Sequence, residues 1–169
     1  MTDRRTAPRC SCAWTGTSAR VAEVRRLLRL SAAYTDSTPG RGGISGQTHA
    51  LRCAALAAHH ARHPDAPFIA LIHDLGRPLN DVHHGEVIAE IVRDRVTPLA
   101  YTVLRTHGAY QAAVVHGTAP PQLRFDIHRV ALQLSGYEVR SFAAHYDGPE
   151  MSLADADALI EGYLGDDPV

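Results

Sequence analysis

The sequence predicts an all-α protein folded as one helical domain. Residues 18–34 repeat apolar side chains at helical spacing, residues 47–63 are rich in alanine and leucine, and no segment alternates like a half-buried strand. The length of 169 residues is close to the size at which one hydrophobic core suffices. We therefore expect a single helical bundle over residues 17–169, preceded by a disordered arm over residues 1–16.

Helix periodicity and breaker residues divide the first half of the chain. Residues 18–34 and 47–63 are the first two helices, and the four glycines and one proline of residues 35–46 predict a loop between them, of the kind that covers active sites. Pro67 begins a short, almost wholly apolar helix, which delivers the pair His73-Asp74 at its end. Glycine and proline after this pair stop the helix.

Caps and periodicity also mark the helices of the second half. Thr97-Pro98 is a good N-cap and first-turn pair, and Ser152 is placed to cap the last helix. The expected helices cover residues 84–92, 97–108, 124–134, 137–147 and 152–163.

Composition excludes several classes of function. The 17 basic and 18 acidic residues give a formal charge of -1, so the broad basic face that nucleic acid requires is absent. No apolar run reaches the roughly 20 residues needed to cross a bilayer. Cys10, Cys12 and Cys53 are odd in number, which favours reduced thiols and a cytoplasmic location. Every basic residue is arginine, which excludes a Schiff-base lysine and a Walker phosphate loop.

Six residues of metal-ligating types recur at intervals of roughly one helix plus a connection. Imidazole nitrogen and carboxylate oxygen suit iron, manganese and zinc, and six ligands are too many for one open site. A histidine alone is more often a packed or exposed side chain, but an ionisable pair that closes an apolar helix needs a partner. The sequence therefore predicts two metal ions in the bundle core, held by His49, His73, Asp74, His84, His107 and Asp147.

Three segments carry a resemblance to a known family. Gln47-Thr48-His49-Ala50, Leu71-Ile72-His73-Asp74-Leu75-Gly76 and His83-His84-Gly85-Glu86 resemble HD-domain proteins, and the resemblance extends over residues 44–147. The two further histidines between the His-Asp pair and the last aspartate resemble the dinuclear branch of that superfamily. That branch includes di-iron oxygenases similar to myo-inositol oxygenase, phosphonate-cleaving HD oxygenases and dinuclear phosphodiesterases.

The resemblance implies an HD-domain helical bundle with a dinuclear site in its core. His49, His73 and Asp147 would hold one ion, His84 and His107 the other, and Asp74 would bridge the two. It implies two iron ions (Fe²⁺/Fe³⁺) as cofactors, with Mn²⁺ or another divalent metal as the alternative.

We expect a di-iron oxygenase that uses O₂ to cleave a C-C, C-P or C-H bond of a small anionic or hydroxylated substrate. Asp74 and Arg77 are assigned catalytic roles, and Arg77, Tyr110 and Gln111 are assigned to substrate binding. Gln111 stands where the phosphonate-cleaving enzymes carry lysine, so the resemblance does not extend to phosphonate as the substrate.

Two other functions remain open at this point. A dinuclear phosphohydrolase would use the same ions to activate water and clamp a small phosphate ester. A metal-containing binding module without activity would need a coordinatively closed cluster. The expected partners are a small-molecule substrate and O₂, without nucleic acid or membrane, and the oligomeric state is left open.

Overall fold

The computed structural model describes residues 17–35 and 43–165. Within them the chain forms seven α-helices and no strand, which confirms the predicted all-α class. The predicted arm at residues 1–16, with Cys10 and Cys12, and most of the predicted 35–46 loop lie outside the described residues. The helices are α1 (Thr17–Leu30), α2 (Gly46–His60), α3 (Ala66–Ile72), α4 (His84–Val92), α5 (Pro98–His116), α6 (Phe125–Ser141) and α7 (Leu153–Leu164).

Side-chain caps begin three of these helices at the predicted kinds of residue. The hydroxyl oxygens of Ser45, Thr97 and Ser152 accept hydrogen bonds from backbone N–H groups in the first turns of α2, α5 and α7. α5 was expected to end near residue 108, but it continues to His116. It ends there because Gly117 adopts a left-handed conformation with φ of 65°.

The largest difference from the predicted elements lies in α6. Two helices were expected, over residues 124–134 and 137–147, but one helix runs from Phe125 to Ser141. Gly136 lies between the two predicted helices, and a single glycine is tolerated inside a helix at a modest free-energy cost. The division at Gly136 is therefore wrong, and the helix ends before the residues that were expected to form its last turn.

The core lies between α2, α3, α5 and α6, with α4 against α5 and α1 against α7. Phe68 of α3 stacks on Tyr163 of α7, with ring centroids 4.1 Å apart. Arg25 and Arg29 of α1 form ion pairs with Asp157 of α7 at the surface. The stacking joins α3 to α7, and every residue of α3 except Pro67 is buried, so packing in the core fixes the position of its C-terminal end.

None of the helices in the described part of the chain is both long and apolar enough to cross a membrane.

Candidate metal centre

Four helices bring five of the six predicted ligands together. His49 lies in the first turn of α2, His73 and Asp74 follow the last residue of α3, His84 begins α4, and His107 lies in the middle of α5. All five side chains are buried in the core. Burying so many ionisable groups is costly unless each is paired or coordinated, so the cluster requires a compensating charge.

The backbone fixes the orientation of three of the four imidazoles. In each, Nδ1 lies within hydrogen-bonding distance of the carbonyl oxygen of the residue three positions earlier. The pairs are His73 with Ala70 (2.8 Å), His84 with Asp81 (2.7 Å) and His107 with Leu104 (2.7 Å). A carbonyl oxygen only accepts, so Nδ1 carries the proton and Nε2 presents its lone pair to the cluster.

Ser141 of α6 fixes the orientation of the His49 imidazole in the same way. The Ser141 hydroxyl donates to the carbonyl oxygen of Glu138 at 2.7 Å, and His49 Nδ1 lies 2.6 Å from the same hydroxyl oxygen. Because the serine proton is already used, His49 Nδ1 is the donor. Phe142 stacks on the His49 ring at 4.3 Å between centroids, which further fixes the ring. Nε2 of His49 therefore also points its lone pair into the cluster.

The four Nε2 atoms form two close pairs. His49 Nε2 lies 3.2 Å from His73 Nε2, and His84 Nε2 lies 2.9 Å from His107 Nε2. Two lone pairs at these distances repel each other unless a cation lies beside both. Two imidazole nitrogens bound to one cation at about 2.1 Å and at right angles would lie about 3 Å apart. The geometry of each pair therefore fits one metal ion.

Asp74 lies between the two pairs and presents one oxygen to each. Its Oδ1 is 3.0 Å from His84 Nε2 and 3.2 Å from His107 Nε2, whereas its Oδ2 is 3.6 Å from His49 Nε2 and 3.8 Å from His73 Nε2. This is the placement expected of a carboxylate that bridges two ions. The residues thus fit a dinuclear centre.

The electrostatics of the cluster favour a cation. Burial raises the pKa of Asp74, but the charge of His73 and the contacts with His107 and His84 outweigh it and hold that pKa well below its usual range. Burial lowers the pKa of His73, but Asp74 and Glu138 outweigh it and raise that pKa above its ordinary value. The site holds carboxylate charge inside the core and stabilises positive charge against it.

Two glycines allow α4 to approach its neighbours closely. A Cβ on Gly76, just after the His-Asp pair, would lie 2.2 Å from the carbonyl oxygen of His84. A Cβ on Gly85 would lie 2.6 Å from the carbonyl oxygen of Leu104 and 2.9 Å from Nδ1 of His107. Both positions require glycine, because a side chain there would separate His84 from Asp74 or from His107.

Arg77 lies beside the Asp74 carboxylate and lines a small cleft. Its Nε is 2.9 Å from Asp74 Oδ2, and a terminal nitrogen is 2.7 Å from Asp81 Oδ1, which also accepts a hydrogen bond from the Tyr34 hydroxyl at 2.8 Å. Partial burial lowers the pKa of Arg77, but Asp74 and Asp81 outweigh it and raise the pKa. The cleft has a volume of about 10 Å³, enough for about one water, and is lined by Tyr34, Ile44, Gly46, His49, Asp74, Arg77 and Phe142.

The other two residues assigned to substrate binding lie elsewhere on α5. Tyr110 is buried, and its hydroxyl lies 3.2 Å from Nδ1 of His128 on α6. Gln111 is half-buried. Neither is among the described residues that line the cleft beside Arg77, and their contact with substrate stays a prediction.

The structure does not bring Asp147 to the cluster. It is exposed, in the segment between α6 and α7, because α6 ends at Ser141 and does not extend through residue 147.

The acid that faces the cluster from α6 is Glu138, which is 2 % exposed and whose Oε1 lies 3.2 Å from His73 Nε2. Sequence reasoning missed it because a helix beginning at Tyr137 puts residue 138 in an exposed first turn. The apolar spacing of Ala131 and Leu134 ahead of Glu138 is the signal that marks it as inward-facing.

Cys53 packs one turn beyond His49 on α2. Its sulfur lies 3.8 Å from both ring nitrogens of His49, and together with His49 and His73 it forms a group close enough to hold an ion. Burial raises the pKa of the Cys53 thiol well above its ordinary value, although a hydrogen bond with Ser141 opposes the shift. The neutral thiol fills the space behind the imidazole.

Comparison with protein families agrees with this geometry. The HD domain family matches residues 46–159, which is more than half of the chain and includes all five clustered ligands. Comparison with curated proteins gives no significant match. The HD family consists in general of metal-dependent hydrolases. The chain therefore belongs to the HD-domain family, and its buried histidines and aspartate fit a metal site at the centre of the bundle.

Proposed function

We propose that the protein is an HD-domain di-iron oxygenase acting on a small anionic or hydroxylated substrate with O₂. The observation that carries the proposal is the arrangement of two Nε2 pairs on either side of Asp74, which fits two ions and one bridging carboxylate. Nitrogen and carboxylate ligands suit iron, and neutral imidazoles leave the pair of ions with net positive charge. When bound, iron in the Fe²⁺ state would activate O₂ by supplying an electron, and the oxidised substrate would supply the remaining electrons.

The cleft beside Asp74 supports a small substrate. Ile44 and Phe142 give it apolar walls that limit bulk water, and its volume of about 10 Å³ holds about one water, so its lining side chains must shift to admit even a small substrate. The guanidinium of Arg77 supplies positive charge at the edge of the cleft, beside the bridging carboxylate. In this proposal Arg77 binds the anionic end of the substrate and orients its reacting carbon toward the first pair, His49 and His73.

A dinuclear phosphohydrolase is the second candidate, and membership of a family rich in metal-dependent hydrolases favours it. In that reaction Asp74 would keep the two ions at a spacing that clamps a phosphate ester and activates water. Arg77 would stabilise the charge on the phosphoryl oxygens. Both candidates use the same five ligands, so the bound metal and the consumption of O₂ distinguish them.

The test begins with metal analysis of protein purified without oxygen. Two irons per chain, with a coupled paramagnetic resonance signal after reduction and brief exposure to air, are expected. Uptake of O₂ that depends on a small polyol, hydroxy acid or phosphonate would establish the oxygenase. Manganese or zinc, with release of phosphate from a small ester and no uptake of O₂, would overturn it in favour of hydrolysis.

Two neighbouring histidines provide a matched pair of variants. His84→Ala is expected to remove one ion and abolish turnover, because His84 Nε2 faces His107 and Asp74. His83→Ala is the control, because the His83 side chain is largely exposed and pairs only weakly with Glu86 at 3.6 Å. Equal metal content and turnover in the two variants would contradict the assignment of His84 to the centre.

A further inference from the structure

Glu138 is a buried acid of α6 that the predicted ligand set does not include. Its side chain is 2 % exposed, and its neighbours on the same face of α6 are the small or apolar residues Ala131, Leu134, Ser135 and Ser141. A buried carboxylate in such surroundings is strongly disfavoured unless it is paired or coordinates a metal. The position of Glu138 therefore calls for a charge partner.

The contacts of Glu138 lead to one member of the first Nε2 pair. Oε1 lies 3.2 Å from His73 Nε2, the same nitrogen that lies 3.2 Å from His49 Nε2. Oε2 is buried and has no hydrogen-bond partner among the described residues. One oxygen is thus at the place where the first pair converges, and the other has no hydrogen-bond partner in the part of the chain that the structure describes.

A simple ion pair with protonated His73 accounts for only part of this geometry. It would use the Nε2 proton of His73 and leave Oε2 buried and unpaired, which costs free energy. A metal ion beside both nitrogens would attract the carboxylate and both lone pairs together.

We propose that Glu138 is the sixth protein ligand of the dinuclear centre and binds the ion held by His49 and His73. This inference rests on the proposed dinuclear centre and replaces Asp147, which lies exposed beyond α6. The first ion then has four protein ligands, His49, His73, Glu138 and one oxygen of Asp74. The second ion has three, His84, His107 and the other oxygen of Asp74, and therefore keeps more positions open.

The test variant is Glu138→Gln, which keeps the shape of the side chain and removes its charge. Two further variants are its controls. Asp147→Asn makes the same change at the exposed acid. Cys53→Ala tests the other nearby group that could ligate the first ion. Each metal-free protein is titrated with Mn²⁺, and the bound metal per chain and the rise in melting temperature on metal binding are measured.

The wild-type protein, Asp147→Asn and Cys53→Ala are expected to bind two ions with the same rise in melting temperature. Glu138→Gln is expected to bind one ion and to show a smaller rise. If Glu138→Gln binds two ions with wild-type affinity, the assignment of Glu138 is wrong. If the wild-type protein itself binds fewer than two ions, the dinuclear centre fails, which is a separate result.

Glu138→Asp keeps the test decisive if Glu138→Gln does not fold. The aspartate retains the negative charge but is shorter by one methylene. Its carboxylate would therefore lie too far away to bind the first ion, while its charge would still stabilise protonated His73. The first ion is expected to bind roughly tenfold more weakly or worse. Unchanged affinity for both ions would reduce Glu138 to a charge partner of His73 and overturn the proposal.

Discussion

The two halves of the candidate metal centre are built in different ways. The first half contains His49 and His73, and the second half contains His84 and His107. In the second half, each Nδ1 donates a hydrogen bond to the backbone carbonyl three residues earlier in the chain. Gly85 allows α4 and α5 to pack in close contact. In the first half, His49 is held by Ser141, which lies 92 residues away in sequence.

The ligands of the second half are thus oriented by residues near them in sequence, whereas His49 of the first half is oriented by a residue distant in sequence. The second half needs only that α4 and α5 pack together, and the short connection between them makes that contact easy to form. The first half needs α6 to dock across α2 with its Ser141 and Glu138 facing inward. Changes in the packing of α6 should therefore affect the first half alone, and changes between α4 and α5 should affect the second half alone.

Asp74→Asn should have the largest effect, because Asp74 is the residue shared by both halves. The change removes the charge that faces both Nε2 pairs, so neither ion is expected to remain bound after dialysis and turnover should be lost. Bound metal per chain measures the result. Asp81→Asn is the control, since Asp81 pairs with Arg77 and Tyr34 at the surface and should leave both ions in place. Retention of both ions by Asp74→Asn would exclude a bridging role.

Gly85→Ala should break the second half and spare the first. The added Cβ would overlap the carbonyl of Leu104 and Nδ1 of His107, so we expect a loss of about 1–3 kcal/mol in the free energy of unfolding. The ion between His84 and His107 should be lost while the other is kept. Urea denaturation and metal analysis measure the two effects.

Gly162→Ala on α7 is the control for this substitution, because a Cβ there meets nothing within 4 Å among the described residues. It should leave both ions in place. If Gly85→Ala binds two ions with unchanged stability, the close contact between α4 and α5 does not position the second half.

Ser141→Ala should weaken the first half without removing it. His49 would lose the acceptor that fixes its Nδ1 proton, and loss of such a partner typically lowers metal affinity roughly 10- to 100-fold. Affinity at the second half should not change, and a Mn²⁺ titration resolves the two. Ser135→Ala is the matched control, because among the described residues the Ser135 hydroxyl donates to the backbone carbonyl of Ala131 on its own helix. Equal weakening of both ions would mean that the two halves are not independent.

The same local and long-range division determined what the sequence could predict. His73-Asp74, His84 and His107 lie at the ends or on the faces of segments whose periodicity, prolines and glycines are readable in isolation, and the structure brings them together. Glu138 was missed because its burial depends on the continuity of α6 and on its contact with α2. The spacing of Ala131, Leu134 and Glu138 marks residue 138 as inward-facing only when α6 continues past residue 134, and the predicted break at residues 135–136 removed that signal.

The cleft was only partly predictable for a similar reason. Arg77 follows the His-Asp pair directly, and its place beside Asp74 follows from one turn of chain. Tyr34 and Phe142 reach the cleft from distant segments, and no spacing rule connects them to His49. The assignment of Tyr110 to the substrate stays a prediction, and the structure places its hydroxyl 3.2 Å from Nδ1 of His128 of α6.

Gly136→Ala should have the smallest effect and tests the continuity of α6. A Cβ at this exposed position meets nothing within 4 Å among the described residues, and alanine is favoured over glycine in a helix interior. The free energy of unfolding should rise by about 0.5–1 kcal/mol, with both ions retained, as measured by urea denaturation and metal analysis. A fall in stability, or loss of the first ion, would mean that α6 bends at Gly136 in solution. In that case Glu138 and Ser141 would not be held against α2 as the structure places them, and the first half would depend on a hinge instead of a continuous helix.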